Sequence, residues 1–150
     1  MWQRNWGSKE IKFGFEYEVL SSARYCFVEN HYNTGQLQES EYLVLSEWFN
    51  FLISCPQMNF NVDKIVYLRT NPEVLYERIK KRNRREECTI PFHYLKSLHD
   101  LHEEWLVHQT KIKAQAPVTI IDANGDLEDL YEEYKNCQQE ILQQGTQQNF

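Results

Sequence analysis

Apolar residues along this chain keep helical spacing in some stretches and form short β-branched runs in others, a mixture that predicts an α/β protein. Tyr25, Val28 and Tyr32 recur at three and four, which predicts a helix from Ser21 or Ser22, as N-cap, to about Asn30. Asn33-Thr34-Gly35 reads as its stop and turn. A second helix is expected over Glu39–Ser54, with a broad apolar face of Leu43, Leu45, Trp48, Phe49, Leu52 and Ile53, closed by Pro56. Lys64–Arg69 is short, apolar and β-branched, the pattern of a buried strand. Thr70 or Asn71 then caps a helix over about Glu73–Arg84, with Pro72 at its first position. Pro91 opens another helix, in which Tyr94, Leu95, Leu98, Leu101, Trp105 and Leu106 share a face. Pro117 precedes a second buried strand, Val118–Asp122, and Asn124-Gly125-Asp126 turns the chain into an acidic helix over about Leu127–Leu142.

Strands separated by helices imply a parallel sheet, but two strands alone are too few for a stable one. The expected class is therefore an incomplete α/β fold with a mostly helical remainder. Residues 2–17 show no clear period, and the Gln-rich end, 143–150, reads as a flexible tail.

Composition narrows the function. Apolar residues make up 41% and charged residues 25% of the 150, which places the chain among globular proteins. A formal charge of −6 argues against a general nucleic-acid binder. No apolar run approaches the roughly 20 residues that span a bilayer. Cys26, Cys55, Cys88 and Cys137 form no CxxC pair, so reduced thiols are expected rather than a disulfide framework or a zinc site. Met1–Glu10 is neither a signal peptide nor a transit peptide, and compartment cannot be read from the chain.

The charge is unevenly spread. Arg78, Lys80, Lys81, Arg82, Arg84 and Arg85 place six cations within eight positions at a helix end. Three readings fit: a solvated helix end whose cations complement the dipole, a clamp whose guanidinium forks grip polyphosphate, and a nucleic-acid patch. Glu86 and Glu87 follow at once and weigh against the third. His99 and His102 sit three apart, whereas the HExxH metal motif places its histidines four apart, so a part-buried, hydrogen-bonded histidine beside Trp105 is expected. The run Asp126, Glu128, Asp129, Glu132, Glu133 reads as the N-terminal and solvent face of the last helix.

Four longer segments favour the phosphate clamp. Ser22-Ala-Arg-Tyr-Cys-Phe-Val-Glu-Asn30, Leu45-Ser-Glu-Trp-Phe49, Ile65-Val-Tyr-Leu-Arg-Thr-Asn-Pro-Glu73 and Leu98-His-Asp-Leu-His-Glu-Glu-Trp-Leu106 occur in order over about Leu20–Tyr134. Together they resemble the deoxynucleoside kinase family, most of all its mitochondrial thymidine kinase branch. The resemblance implies a P-loop kinase-like three-layer fold and ATP-dependent 5′-phosphorylation of thymidine and deoxycytidine with Mg²⁺. It implies a homodimer through the two N-terminal helices and a mitochondrial location, with cytoplasm or nucleus as alternatives; nucleic acid and membrane are not expected partners. Residue by residue, it implies that Arg78, Arg82 and Arg84 are lid arginines on the donor phosphates and the transferring group. Glu87 matches the carboxylate that binds the deoxyribose 3′-hydroxyl, and Phe27 the aromatic that stacks on the base. Ala23 stands where relatives favouring deoxycytidine and purines carry Asp, and Asp126 and Leu127 fall in the loop that packs on the donor adenine. By themselves, Phe27 would read as a core aromatic and Glu87 as a surface charge.

The family's glycine-rich loop, G-x-x-G-x-G-K-[ST], supplies backbone amides and a lysine to the phosphates and a hydroxyl to Mg²⁺. The five glycines here, Gly7, Gly14, Gly35, Gly125 and Gly145, are scattered. The family's catalytic Glu and its Mg²⁺ site are expected upstream of these residues. Where the family carries Glu-Arg-Ser, this chain has Tyr17-Glu18-Val19. Residues 1–19 are thus expected to be a divergent segment, residues 20–142 the C-terminal part of the kinase domain, and the chain inactive alone.

Overall fold

A computed structural model describes residues 15–58 and 62–143. The first helical stretch is continuous: α1 (Phe15–Ser22), a π-helical segment (Ala23–Val28) and α2 (Glu29–Asn33). Neither expected serine caps a helix. Ser22 lies in helical backbone at φ −65°, ψ −40°, and its hydroxyl donates to the Val19 carbonyl at 3.3 Å. A serine inside a helix can bond back to its own preceding turn, so the cap pattern misleads there. The stop is where the sequence puts it, with Gly35 at φ +72°.

Helix α3 (Glu39–Ser54) matches the expected bounds, and its capping box pairs Gln38 with Glu41, whose carboxylate accepts the Gln38 amide at 2.8 Å. Strand β1 (Ile65–Arg69) leads into α4 (Pro72–Arg82), with Pro72 opening the helix as expected. Asn71 takes the N-cap position without a side-chain cap, and its amide instead donates to Asn124 Oδ1 at 2.8 Å. Helix α4 ends two residues before the expected Arg84, because Asn83 turns left-handed at φ 51°. Helix α5 (Phe92–His102) runs into a second π-helical segment (Glu103–His108); β2 (Val118–Asp122) and α6 (Leu127–Gln143) complete the order.

The two strands pair in parallel, Ile65 beside Val118 and Arg69 beside Asp122. This is the small parallel sheet in a mostly helical protein that an incomplete α/β kinase fold requires. On one face, Ile65, Tyr67 and Val118 pack against Cys26, Trp105 and Leu106. Both π segments meet there: Tyr25 lies 5.2 Å from Trp105 and 5.2 Å from Phe49, centroid to centroid.

The expectation that both strands are buried is corrected on the other face. Thr119 and Ile121 of β2 are buried, but Val66 and Leu68 of β1 remain 40% and 53% exposed. A parallel sheet needs cover on both faces; helix α6 packs on β2, while β1 keeps Val66 and Leu68 open. Helix α3 likewise leaves Leu45 exposed, together with Leu43, Val44, Trp48 and Phe51, which line a shallow apolar groove with Glu47.

Candidate functional site

Of the four charged residues singled out here, Arg82, Arg84 and Glu87 come together and Arg78 does not. The left-handed Asn83 folds the chain back on the end of α4, and the turn is held by Glu87 N–H to Arg84 O at 3.0 Å and Ile90 N–H to Glu87 O at 3.1 Å. That reversal brings Glu87 back to Arg82, five positions away. Arg82 donates to Glu87 Oε2 from Nε at 3.0 Å and from Nη2 at 2.6 Å, while Arg84 Nη1 lies 3.6 Å from Oε1. The carboxylate is the more enclosed partner, with its side chain 18% exposed against 48% and 57% for the two arginines.

Arg78 does something different. Its guanidinium donates to the carbonyls of Ala123 at 2.6 Å, Asn124 at 3.0 Å and Gly125, all in the loop after β2. It ties α4 to the segment that begins α6. In that segment the Asp126 carboxylate accepts the amides of Glu128 at 2.9 Å and Asp129 at 3.0 Å, while Asp129 returns a bond from the Asp126 amide. This is a reciprocal N-cap. Gly125 is required by close approach, since a Cβ there would sit 2.8 Å from Asp129 Cβ. Leu127 points outward, 80% exposed. The acidic residues Glu128, Asp129, Glu132 and Glu133 are all exposed, as the pattern implies.

Ala23 and Phe27 share the first π segment, a helix variant that often marks functional positions. Phe27 is 41% exposed while its neighbour Cys26 is fully buried, so the core reading of Phe27 does not hold. Arg24 anchors this segment, donating to Glu29 Oε1 at 2.5 Å and to the Tyr42 hydroxyl at 2.9 Å.

Sequence reasoning missed one cluster at the C-terminal end of β1. Buried Glu103 accepts from Tyr67 OH at 3.1 Å, Arg69 Nε at 2.9 Å and Arg69 Nη2 at 2.6 Å, with His99 Nε2 at 3.9 Å. Burial and the Glu103 charge hold the Tyr67 phenol well above its usual range. The spacing of Arg69 and Glu103 carried no signal; only the packing of β1 against the second π segment brings them together. His102 is the part-buried histidine expected beside Trp105: Nδ1–H donates to Leu98 O at 2.7 Å, and burial lowers its pKa.

Whether these residues suit ATP and Mg²⁺ is a matter of donor chemistry. Arg82 and Arg84 present forks matched to phosphate oxygens. Among the described residues, no group of three or more His, Cys, Asp or Glu is placed to hold a metal ion. No helix among the described residues is long and apolar enough to cross a membrane.

A sequence model of the deoxynucleoside kinase family matches residues 8–145. The chain belongs to the deoxynucleoside kinase family. It is 47% identical over 123 residues to human mitochondrial thymidine kinase 2, covering 82% of this chain and 46% of that protein. It is 36% identical over 117 residues to deoxycytidine kinase 2 of Gallus gallus, covering 75% and 44% respectively. Mitochondrial deoxyguanosine kinase of Xenopus laevis is 36% identical over 119 residues, 76% of this chain and 44% of that kinase. The chain thus spans about half the length of the curated relatives it matches.

Proposed function

We propose that this chain forms the base-recognition and lid portion of a mitochondrial deoxynucleoside kinase that phosphorylates the 5′-hydroxyl of thymidine and deoxycytidine with ATP and Mg²⁺. The observation that carries the reading is the convergence of Arg82, Arg84 and Glu87 on one turn, in a chain 47% identical to a thymidine kinase. ATP supplies the phosphoryl group. Phosphoryl transfer needs charge neutralisation and positioning more than covalent chemistry from the protein. Arg82 and Arg84 neutralise phosphate oxygens, and Glu87 accepts a hydrogen bond from the 3′-hydroxyl. The exposed ring of Phe27 stacks on the base, and the small Ala23 leaves room for a pyrimidine substituent. The loop of Asp126 and Leu127 lies against the donor adenine. Arg78, occupied by three loop carbonyls, shapes that loop in this reading and reaches phosphate only by giving them up.

The glycine-rich loop, its lysine and its hydroxyl are not in the sequence of these 150 residues. Several groups that act together are then absent, a loss on the order of many powers of ten in rate. The 150 residues alone are therefore inactive in this account. The test is ATP- and Mg²⁺-dependent phosphorylation of labelled thymidine by the purified chain. Product at blank level is expected, and turnover above about 1 s⁻¹, within the range of ordinary kinases, contradicts it.

A second reading, a non-catalytic product that pairs with the complete kinase, is favoured by the exposed α3 residues Leu43, Val44, Trp48 and Phe51. A homodimer through the N-terminal helices draws on the same face. Co-expression with the complete kinase checks the pairing: a stable mixed complex that Trp48→Glu abolishes supports it, and separate elution sinks it.

A further inference from the structure

We propose that Glu87 is the lid's resident counterion, displaced from Arg82 and Arg84 when a polyphosphate binds, so that its carboxylate becomes free only once the phosphate side is occupied. This rests on the reading of Arg82 and Arg84 as phosphate ligands. It goes further in making the two recognition tasks of the lid mutually dependent.

The geometry supplies three reasons. First, Glu87 uses the donors that a phosphate would use: Arg82 offers it Nε and Nη2 at 3.0 and 2.6 Å, and Arg84 approaches from the other side at 3.6 Å. Both cannot be held at once through the same N–H groups. Second, the pair is weak enough to exchange. The carboxylate is 18% exposed, but its arginines are 48% and 57% exposed, and a pair whose cations stay in water shifts an equilibrium only about two- to fivefold. Two guanidinium charges face one carboxylate, so a multiply charged phosphate matches them better than Glu87 does. Third, the turn does not depend on the carboxylate. Glu87 N–H to Arg84 O and Ile90 N–H to Glu87 O are backbone bonds, and they hold residues 84–90 whether or not the side chain is engaged.

Exchange therefore needs only side-chain rotation. Once released, the carboxylate can accept a sugar hydroxyl that it could not bind as well while neutralised. An empty lid recognises the sugar poorly, and a phosphate-loaded lid recognises it well.

The test uses the whole 150-residue chain and sodium tripolyphosphate as the probe. Calorimetry compares the chain with Glu87→Gln, with the charge-matched neighbour Glu86→Gln, and with the double variant Arg82→Ala/Arg84→Ala. Removing a competing counterion should tighten tripolyphosphate binding about threefold beyond the effect of Glu86→Gln, in line with the worth of an exposed pair. In the unsubstituted chain carrying ¹³C-glutamate and ¹⁵N-arginine, the Glu87 carboxyl and Arg82 Nε signals should move together along one titration. Equal effects of Glu87→Gln and Glu86→Gln, or a Glu87 signal that stays still while Arg82 moves, overturn the counterion role and leave the phosphate reading standing. Tripolyphosphate affinity unaffected by the double arginine variant overturns both.

Discussion

Glu103 is the group whose removal should be felt most widely, because one buried carboxylate serves a strand, a helix end and a tyrosine. Consider Glu103→Ala. The Tyr67 hydroxyl, donating at 3.1 Å in a part-buried position, loses its acceptor, a loss of about 1–2 kcal/mol. Arg69 loses bonds at 2.9 and 2.6 Å, but its side chain is 45% exposed and can turn to water, so its share is discounted to about 1 kcal/mol or less. Together with a small packing loss, the total is about 2–3 kcal/mol. Urea unfolding at neutral pH reads this as a midpoint lowered by about 1 M or more, given a slope of about 2 kcal/mol/M. Tyr67→Phe alone should cost about 1 kcal/mol, and the double variant less than the sum, because the two share a bond. A Glu103→Ala protein within about 0.5 kcal/mol of the parent, the level of an inert surface change, refutes the reasoning.

Other outcomes follow from the same geometry. Burial lowers the His102 pKa, so the unfolded chain takes up the proton first and stability falls as pH drops through the unfolded value of about 6.5; His102→Gln should flatten that part of the melting-temperature profile. Burial pushes the Cys26 thiol up to about 12, so at pH 8 roughly one molecule in ten thousand carries the thiolate. Iodoacetamide followed by peptide mapping should then label exposed Cys88 long before Cys26, and equal labelling would contradict the burial. Asp126→Ala removes the acceptor for two amides at the start of α6 and should cost about 1 kcal/mol in thermal or urea unfolding. A negligible change there would mean that the cap does not hold α6.

Local chemistry made much of the fold legible. Pro72 and Pro117 marked the starts of α4 and β2, and the apolar rhythm of Leu43 to Ile53 drew α3 to the residue. Where the sequence misled, the deciding contacts were distant. Ser21 and Ser22 look like caps, yet the chain stays helical through them and widens into a π segment that brings Tyr25 against Trp105. Val66 and Leu68 look like core, and nothing in Lys64–Arg69 itself could reveal that one face of β1 remains open. In the site, the proximity of Arg82, Arg84 and Glu87 was readable from their positions. The occupation of Arg78 by loop carbonyls was not, since it depends on where β2 ends. Arg69 and Glu103 lie 34 positions apart and meet only because β1 packs beside the second π segment.

The central claim is that the turn after α4 grips a nucleotide's phosphates. Its most direct measurement is a titration of the ¹⁵N-arginine-labelled chain with ATP, following each Nε signal by NMR. The account predicts that Arg82 and Arg84 shift and saturate together, while Arg24, held by Glu29 and Tyr42, and Arg69, held by Glu103, stay where they are. Unmoved signals for Arg82 and Arg84 at saturating ATP would contradict it, as would a uniform drift of every arginine.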